Sequence, residues 1–435
     1  MNFQGGLSKC GARPSPAAAM HLRMKQSMTY SRREMFKLSA VSLGAIALSQ
    51  PDWLFADAGS PPAAAAPLRD LLSARMRDLV LAAQFRRGDI IFTRPCVDTT
   101  YRGTWPDDCV WPYIGNPELA RLTEWPGLLQ WLTDAVVDLP VVPDRVEFDD
   151  LAVLSPGGPN SSPESAQMPL HLPSAWTRYL DYAESFGAKI PRKAAWAQVI
   201  RRSFEHVPFS FGLVYSNPQV KIVGFGFHDT IPLTGLELMT SLVTYRGLQR
   251  AARLFAKEIE PAICAQWLQR AEGIRQNLYR LYDEKIGGFV GATNRGRQFS
   301  VWGNGLAYWL ADKEQQRAIL KFYRENQSRI FLRGCTRQVA EPGGWGDGAP
   351  NYAYQNGGYW ATGTGFVLPT LADGDPELAA RLAKELGDNL PAFDCAEWLD
   401  DKGNPNGARK FLASVSMPLI GTRSIAEHKP LLDYF

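Results

Sequence analysis

The sequence predicts an all-α fold, an (α/α)6 toroid in which six inner helices are ringed by six outer ones. Amphipathic runs cover 68–86, 116–138, 174–187, 192–206, 233–257, 260–284, 300–311, 313–327, 360–373, 375–388 and 408–421. They alternate in character. Segments such as "LTGLELMTSLVTYRGLQRAARLFA" and "VWGNGLAYWLA" are apolar or aromatic nearly all round, whereas "KEQQRAILKFYRENQ" and "PELAARLAKELGDN" are charged on one face. A helix apolar on every side lies between neighbours, and one with a polar face lies outside. Strand-like runs ("DIIF", "GGFVGA") are few and short, and no constant-length repeat supports a stacked solenoid.

The chain has 435 residues, and the first part reads as a leader. Ser31-Arg32-Arg33-Glu34-Met35-Phe36-Lys37 precedes the apolar run Leu38 to Ser49, and "FADAGS" offers a small-residue cleavage site at Ala56-x-Ala58. This resembles a twin-arginine (Tat) export signal, with Met35 where Phe is commonest. The run is too short to span a bilayer. The expected organisation is therefore a signal peptide with an upstream extension over 1–58 and one catalytic toroid over 59–435, in the periplasm or secreted. Residues 1–58 hold seven Lys/Arg and three Asp/Glu, so without them the formal +3 becomes −1. That balance gives no reason to expect nucleic acid or a membrane surface as partner. The six cysteines, five after Cys10 is removed, show no metal or redox spacing; Cys96 and Cys109 are the closest pair available for a bridge.

Later in the chain, "SPGGPNSSPES" (Ser155 to Ser165) interrupts the helical alternation without dividing it. Four loops gather aromatic, amide and acidic groups. Thr99 to Asn116 carries Arg102, Trp105, Asp107, Asp108 and Trp111. Met168 to Trp176 carries His171 and Trp176. Val223 to Gly235 carries Phe227, His228 and Asp229 ahead of an inner helix. Glu341 to Trp360 carries six glycines together with Trp345, Asp347, Asn351, Gln355, Asn356 and Trp360. Rings beside carboxylates and amides suit a sugar, because rings stack on the apolar pyranose face while polar groups bind hydroxyls. Glycosidic hydrolysis further demands two carboxylates flanking the bond, one kept protonated by apolar surroundings and one ionised.

Asp229, among Phe225, Phe227, Ile231 and Pro232, fits the acid. Glu341, in a polar Gly-rich loop, fits the base. Asp107, Asp108 and Asp347 are alternatives, the first two better suited to binding hydroxyls. Taken alone, an Asp ahead of a helix is more often a cap and a loop Glu more often solvated.

At these residues the chain resembles the six-hairpin (α/α)6 glycoside hydrolases of the glucoamylase, trehalase and glucosidase-I type. The segment "FGFHDTIPLTGLELMTSLVTYRGLQRAARLF" is similar to the one bearing their general acid. "CTRQVAEPGGWGDGAPNYAYQNGGYWATGTGFVL" resembles the late segment with their base, and "TWPDDCVWPYI" an early segment that grips the sugar. The resemblance implies Asp229 as acid, Glu341 as base, Asp107 or Asp108 as a subsite residue, an oligosaccharide or glycoside substrate and inverting chemistry. The acid position reads His-Asp where the group has Trp-Asp or Trp-Glu.

The same toroid hosts other chemistries. An epimerase would use a histidine pair, here His171 and His228. Unsaturated glucuronyl hydrolases share the toroid too, and a uronate lyase would need a Tyr or His base and a cationic cluster, for which Tyr101 and Arg102 are available without a wider basic cluster. A sugar-binding protein would need the rings without the acids. The sequence offers no metal motif and no phosphate loop, and no cofactor is expected.

Overall fold

The structure, a computed structural model, describes residues 65–155, 168–220, 222–343 and 349–435, all within one compact unit spanning Phe55–Phe435. The main helices are α1 (Ala65–Ala83), α2 (Pro106–Gly115), α3 (Trp125–Val136), α4 (Leu172–Ser185), α5 (Lys193–His206) and α6 (Leu238–Leu254). They continue with α7 (Pro261–Asn277), α8 (Val301–Ala307), α9 (Lys313–Glu325), α10 (Ala361–Gly374), α11 (Pro376–Asn389) and α12 (Ala413–Glu427). The even-numbered helices form a closed inner ring: each packs on the next, and α12 returns to α2. The odd-numbered helices lie outside, with α1 against α11 and α12. The fold is the all-α (α/α)6 toroid.

Burial follows composition. Along α10 every residue from Ala361 to Leu371 is buried, whereas α9 buries only the stripe Gln316, Ile319, Leu320 and Tyr323. Two of the outer helices start on polar caps. Asp312 caps α9 in a reciprocal box with Gln315, and Asp375 caps α11 ahead of Pro376 at the first helical position. The inner ring is close-packed at small residues. A Cβ on Gly365 of α10 would lie 2.2 Å from the Met417 carbonyl of α12, so only Gly admits this approach.

The sequence pattern missed one inner helix. Pro106–Gly115, read as loop, is α2, the first member of the inner ring. It is short, carries Pro112 inside, and its Trp, Pro, Tyr and Ile have no polar face, so no period of 3.6 is visible in it. The run 116–138 divides into a 3-10 segment (Pro117–Leu122) and α3, and the run 233–257 opens with a strand at Gly235–Leu236.

Short antiparallel strands brace the segments that enter the inner helices. The longest array runs Phe331–Leu332, Cys335–Arg337, Tyr359–Trp360, Trp398–Leu399, Pro405–Asn406, with Thr336 opposite Trp360 and Tyr359 opposite Leu399. It places the residues before Trp398 beside the loop before Tyr359. Leu170 and His171 donate backbone N–H to the carbonyls of Val223 and Gly224, at 2.9 Å each, joining the α4 entry to the α6 entry. Chemistry-bearing loops thus converge at the N-terminal ends of the inner helices. No described helix is long and apolar enough to cross a membrane, and the leader read over 1–58 lies outside the described residues. Cys96 and Cys109 are separate thiols, bonded to Asp98 and to the Thr93 carbonyl respectively.

Candidate active site

A cleft with a cavity of about 130 Å³ opens where these entries meet. Five carboxylates line it, Asp107, Asp108, Asp144, Asp229 and Glu397, together with Tyr101, Trp105, His171, Phe227, Tyr354 and Gln355; among the described residues no Lys or Arg lines it.

Asp229 ends the 3-10 turn Gly226–His228, just beyond Phe227. Burial pushes its carboxyl up to about 7, opposed by a hydrogen bond from Gln355 and reinforced by the nearby charges of Asp144 and Glu397. Gln355 Nε2 donates to Asp229 Oδ1 at 2.5 Å. The Gln355 amide is itself held, since its Oε1 accepts from both the backbone N and the hydroxyl of Thr230, each at 2.9 Å.

Glu397 sits just before the Trp398–Leu399 strand and is only 4% exposed. Its Oε1 accepts from Tyr101 at 2.8 Å and Tyr354 at 3.0 Å, and its Oε2 accepts from the Ala408 backbone N at 2.9 Å. Burial raises its pKa, while these three donors favour the ionised form. The pair is therefore differentiated by hydrogen bonding: Asp229 accepts from one side chain, whereas Glu397 accepts from three donors.

The rest of the cleft wall is acidic and well supported. Asp107 is ion-paired to Arg178, a side chain 1% exposed whose guanidinium lies 4.7 Å from the Phe435 ring centroid. Asp108 is pushed well above the usual carboxylate range, by burial first and then by Asp107 and Glu397, and its buried Oδ1 has no hydrogen-bond partner. Asp144 is pushed up to about 6 by burial, opposed by Arg145, and accepts from Trp105 Nε1 at 3.1 Å. Burial lowers His171 to about 4, so its Nε2, 3.9 Å from Asp107, makes no ion pair near neutral pH.

The residues expected from the sequence divide between cleft and scaffold. Asp229, Gln355, Trp105, Asp107 and Asp108 line the cleft. Glu341 does not: its side chain is 68% exposed and ion-paired with Arg329. Arg102 is exposed and lies outside the lining. Trp111, Trp176 and Trp360 are fully buried core side chains. Trp111 stacks on Phe227 at 5.6 Å, Trp176 donates to the Pro143 carbonyl at 2.7 Å, and Trp360 donates to the Tyr354 carbonyl at 3.2 Å. Asn356 ties the Gly-rich loop together through the carbonyls of Gly343 and Ala349. His228 is buried edge-on against Phe225, away from the lining, and burial lowers it to about 3. Trp345 and Asp347 lie outside the described residues.

Glu397, Asp144 and Tyr354 are the residues that sequence reasoning did not assign. "DCAEWLD" around Glu397 has neither the glycines nor the clustered rings that marked the other loops. Its one signal is Glu directly before a Trp in a short segment ahead of an inner helix.

No protein-family model matches the chain, and no curated protein matches it. Solved structures do. The GH63 mannosylglycerate hydrolase of Thermus thermophilus, in complex with glucose, aligns at TM-score 0.51 and 15% identity, over 81% of this chain and 99% of that one. A rhamnosidase from Klebsiella oxytoca with rhamnose bound aligns at 0.52 and 15%, over 83% of this chain and 64% of that one. A glycosidase variant aligns at 0.54 and 15%, over 85% and 99%. At these identities the likeness is one of fold: the chain has the helical toroid of glycoside hydrolases.

Proposed function

We propose that this chain is an exported, inverting glycoside hydrolase with Asp229 as general acid and Glu397 as general base. One observation carries the reading: two carboxyl groups in one cleft have unequal hydrogen-bonding environments, one side-chain donor against three, the asymmetry that acid and base roles call for. The toroids named as a mannosylglycerate hydrolase and as a rhamnosidase support a glycosidic substrate, and the twin-arginine pattern read in the sequence over 1–58 supports export. The base role expected of Glu341 passes to Glu397. An exposed carboxylate paired with Arg329 outside the cleft has no substrate to act on.

In the proposed reaction, Asp229 gives its proton to the glycosidic oxygen as the bond from that oxygen to the anomeric carbon breaks. Glu397 takes a proton from a water whose oxygen bonds to the anomeric carbon from the opposite face. Water is consumed, two hydroxyl-bearing products leave, and the proton on Glu397 is returned to solvent as Asp229 is reprotonated. Trp105 offers an aromatic edge to the sugar, and Asp107, Asp108 and Asp144 accept from its hydroxyls. Five carboxylates, with no cation among the described lining residues, favour a neutral glycone and repel a uronate. This weighs against the lyase and glucuronyl hydrolase alternatives. The epimerase alternative loses its pair, because His228 does not line the cleft.

The test is a panel of neutral disaccharides and oligosaccharides incubated with the full chain, released sugar being followed by proton NMR. The first anomer seen should be opposite in configuration to the bond cleaved. Release of the same anomer contradicts inversion, and turnover without hydrolysis contradicts the class. Activity should fall as pH rises through about 7, because Asp229 then loses the proton it must donate.

A further inference from the structure

Two consecutive residues hold the two proposed reacting groups. Tyr354 donates to Glu397 and Gln355 donates to Asp229. On an extended strand neighbouring side chains point to opposite faces. Here both line the same cleft, because Tyr354 takes a left-handed backbone conformation, φ 47°, which a bulky residue rarely adopts. The conformation is braced on several sides. The Tyr354 carbonyl accepts from Gly358 N at 2.9 Å and from Trp360 Nε1 at 3.2 Å, and the Asn356 amide gathers the loop behind it. Ahead of the pair, Ala349 N donates to the Thr230 carbonyl at 3.0 Å, so this loop is also joined to the residue that follows the acid.

From this geometry we infer that the Tyr354–Gln355 dipeptide is the spacer that sets the separation and facing of the acid and base, a positioning element rather than a sugar-binding one. The inference rests on the acid–base reading above. The Gln355 amide cannot turn over, because its oxygen is occupied twice by Thr230. Its N–H therefore always faces Asp229 Oδ1, which leaves Oδ2 as the atom that carries the transferable proton. Tyr354, with Tyr101, occupies Glu397 Oε1, while Ala408 N reaches Oε2, so the carboxylate plane is fixed. Asp144 and Glu397 act on Asp229 as nearby charges, and Asp98 acts likewise on Glu397. Asp107, Asp108 and His171 complete the titratable lining.

The test compares wild type with Gln355→Leu, Gln355→Met and Tyr354→Phe in the full chain. Carboxyl titrations would be read by 13C NMR, with Asp229→Asn and Glu397→Gln assigning the resonances. Gln355→Leu and Gln355→Met should each raise the Asp229 midpoint by roughly one pH unit and leave Glu397 nearly unmoved, since a donor to the ionised form is lost. Tyr354→Phe should do the reverse. On a disaccharide that the wild type cleaves, kcat should fall about tenfold or more with KM changed less than about threefold. Unmoved midpoints, or a rise in KM with kcat unchanged, would overturn the spacer and return Gln355 to sugar binding. Midpoints that move as expected in a protein that cleaves nothing would uphold the clamp and sink the hydrolase reading instead.

Discussion

Glu397→Gln should lower kcat/KM by about 10³-fold or more, while Glu341→Gln should stay within about threefold of wild type. The contrast follows from environment. Glu397 is buried, faces the cleft and holds three donors that a glutamine cannot use in the same way, because the amide nitrogen would meet a donor rather than supply an acceptor. It also loses the charge that would draw a proton from water. Glu341 sits on the surface beside Arg329, where an ion pair contributes little. Asp229→Asn should match the loss at Glu397, since the amide has no acidic proton to give. Steady-state kinetics on one cleaved oligosaccharide, with circular dichroism to show that each variant is folded, checks all three. Activity lost through Glu341→Gln and kept through Glu397→Gln would reverse the assignment.

The largest expected effect on stability is at Arg178. Arg178 and Asp107 are both buried, at 1% and 6% exposure, and removing one partner leaves the other as an uncompensated charge. Arg178→Met should therefore cost about 3–5 kcal/mol of folding free energy, read from urea denaturation midpoints. The Arg178 Nε and Nη1 atoms have no hydrogen-bond partner, so the pair is itself poorly compensated. The double variant Arg178→Met with Asp107→Leu should for that reason recover much of the loss. Simple additivity of the two single effects would show that the pair is not the energetic unit. Even in the stable double variant the cleft loses Asp107, so activity should stay low.

Much of the architecture was legible because it depends on a pattern carried by many residues. The alternation of apolar and one-faced helices yields the inner and outer rings directly, since a helix must bury whatever face is apolar. α2 escaped because ten residues with an internal proline and no polar face carry no period to read. At the site, local surroundings found Asp229: Phe225 and Phe227 are adjacent in the chain, so its desolvation could be read from its neighbours. The surroundings of Glu397 are assembled from elsewhere. Tyr101 comes from nearly three hundred residues upstream, and Tyr354 from a different loop, so nothing near Glu397 in the chain announces it. The Gly-rich loop from Glu341 to Trp360 stands out in the sequence by its glycines and rings rather than by the residues that reach inward. Glu341, the acid of this loop that is described, is exposed beside Arg329. Tyr354 and Gln355 reach the carboxylates only because one tyrosine takes a left-handed turn, a feature that composition does not encode. Trp111, Trp176 and Trp360 misled for the opposite reason, since a tryptophan near acids in sequence packs equally well into a core.

The central claim is that Asp229 and Glu397 act as acid and base on one bond, and leaving-group chemistry tests it most directly. Asp229→Asn and Glu397→Gln would each be assayed on the natural-type glycoside and on a dinitrophenyl glycoside of the same sugar, whose leaving group departs without protonation. The account predicts that the activated substrate restores most of the rate to Asp229→Asn and none to Glu397→Gln. Equal rescue of both variants, or of neither, would contradict it.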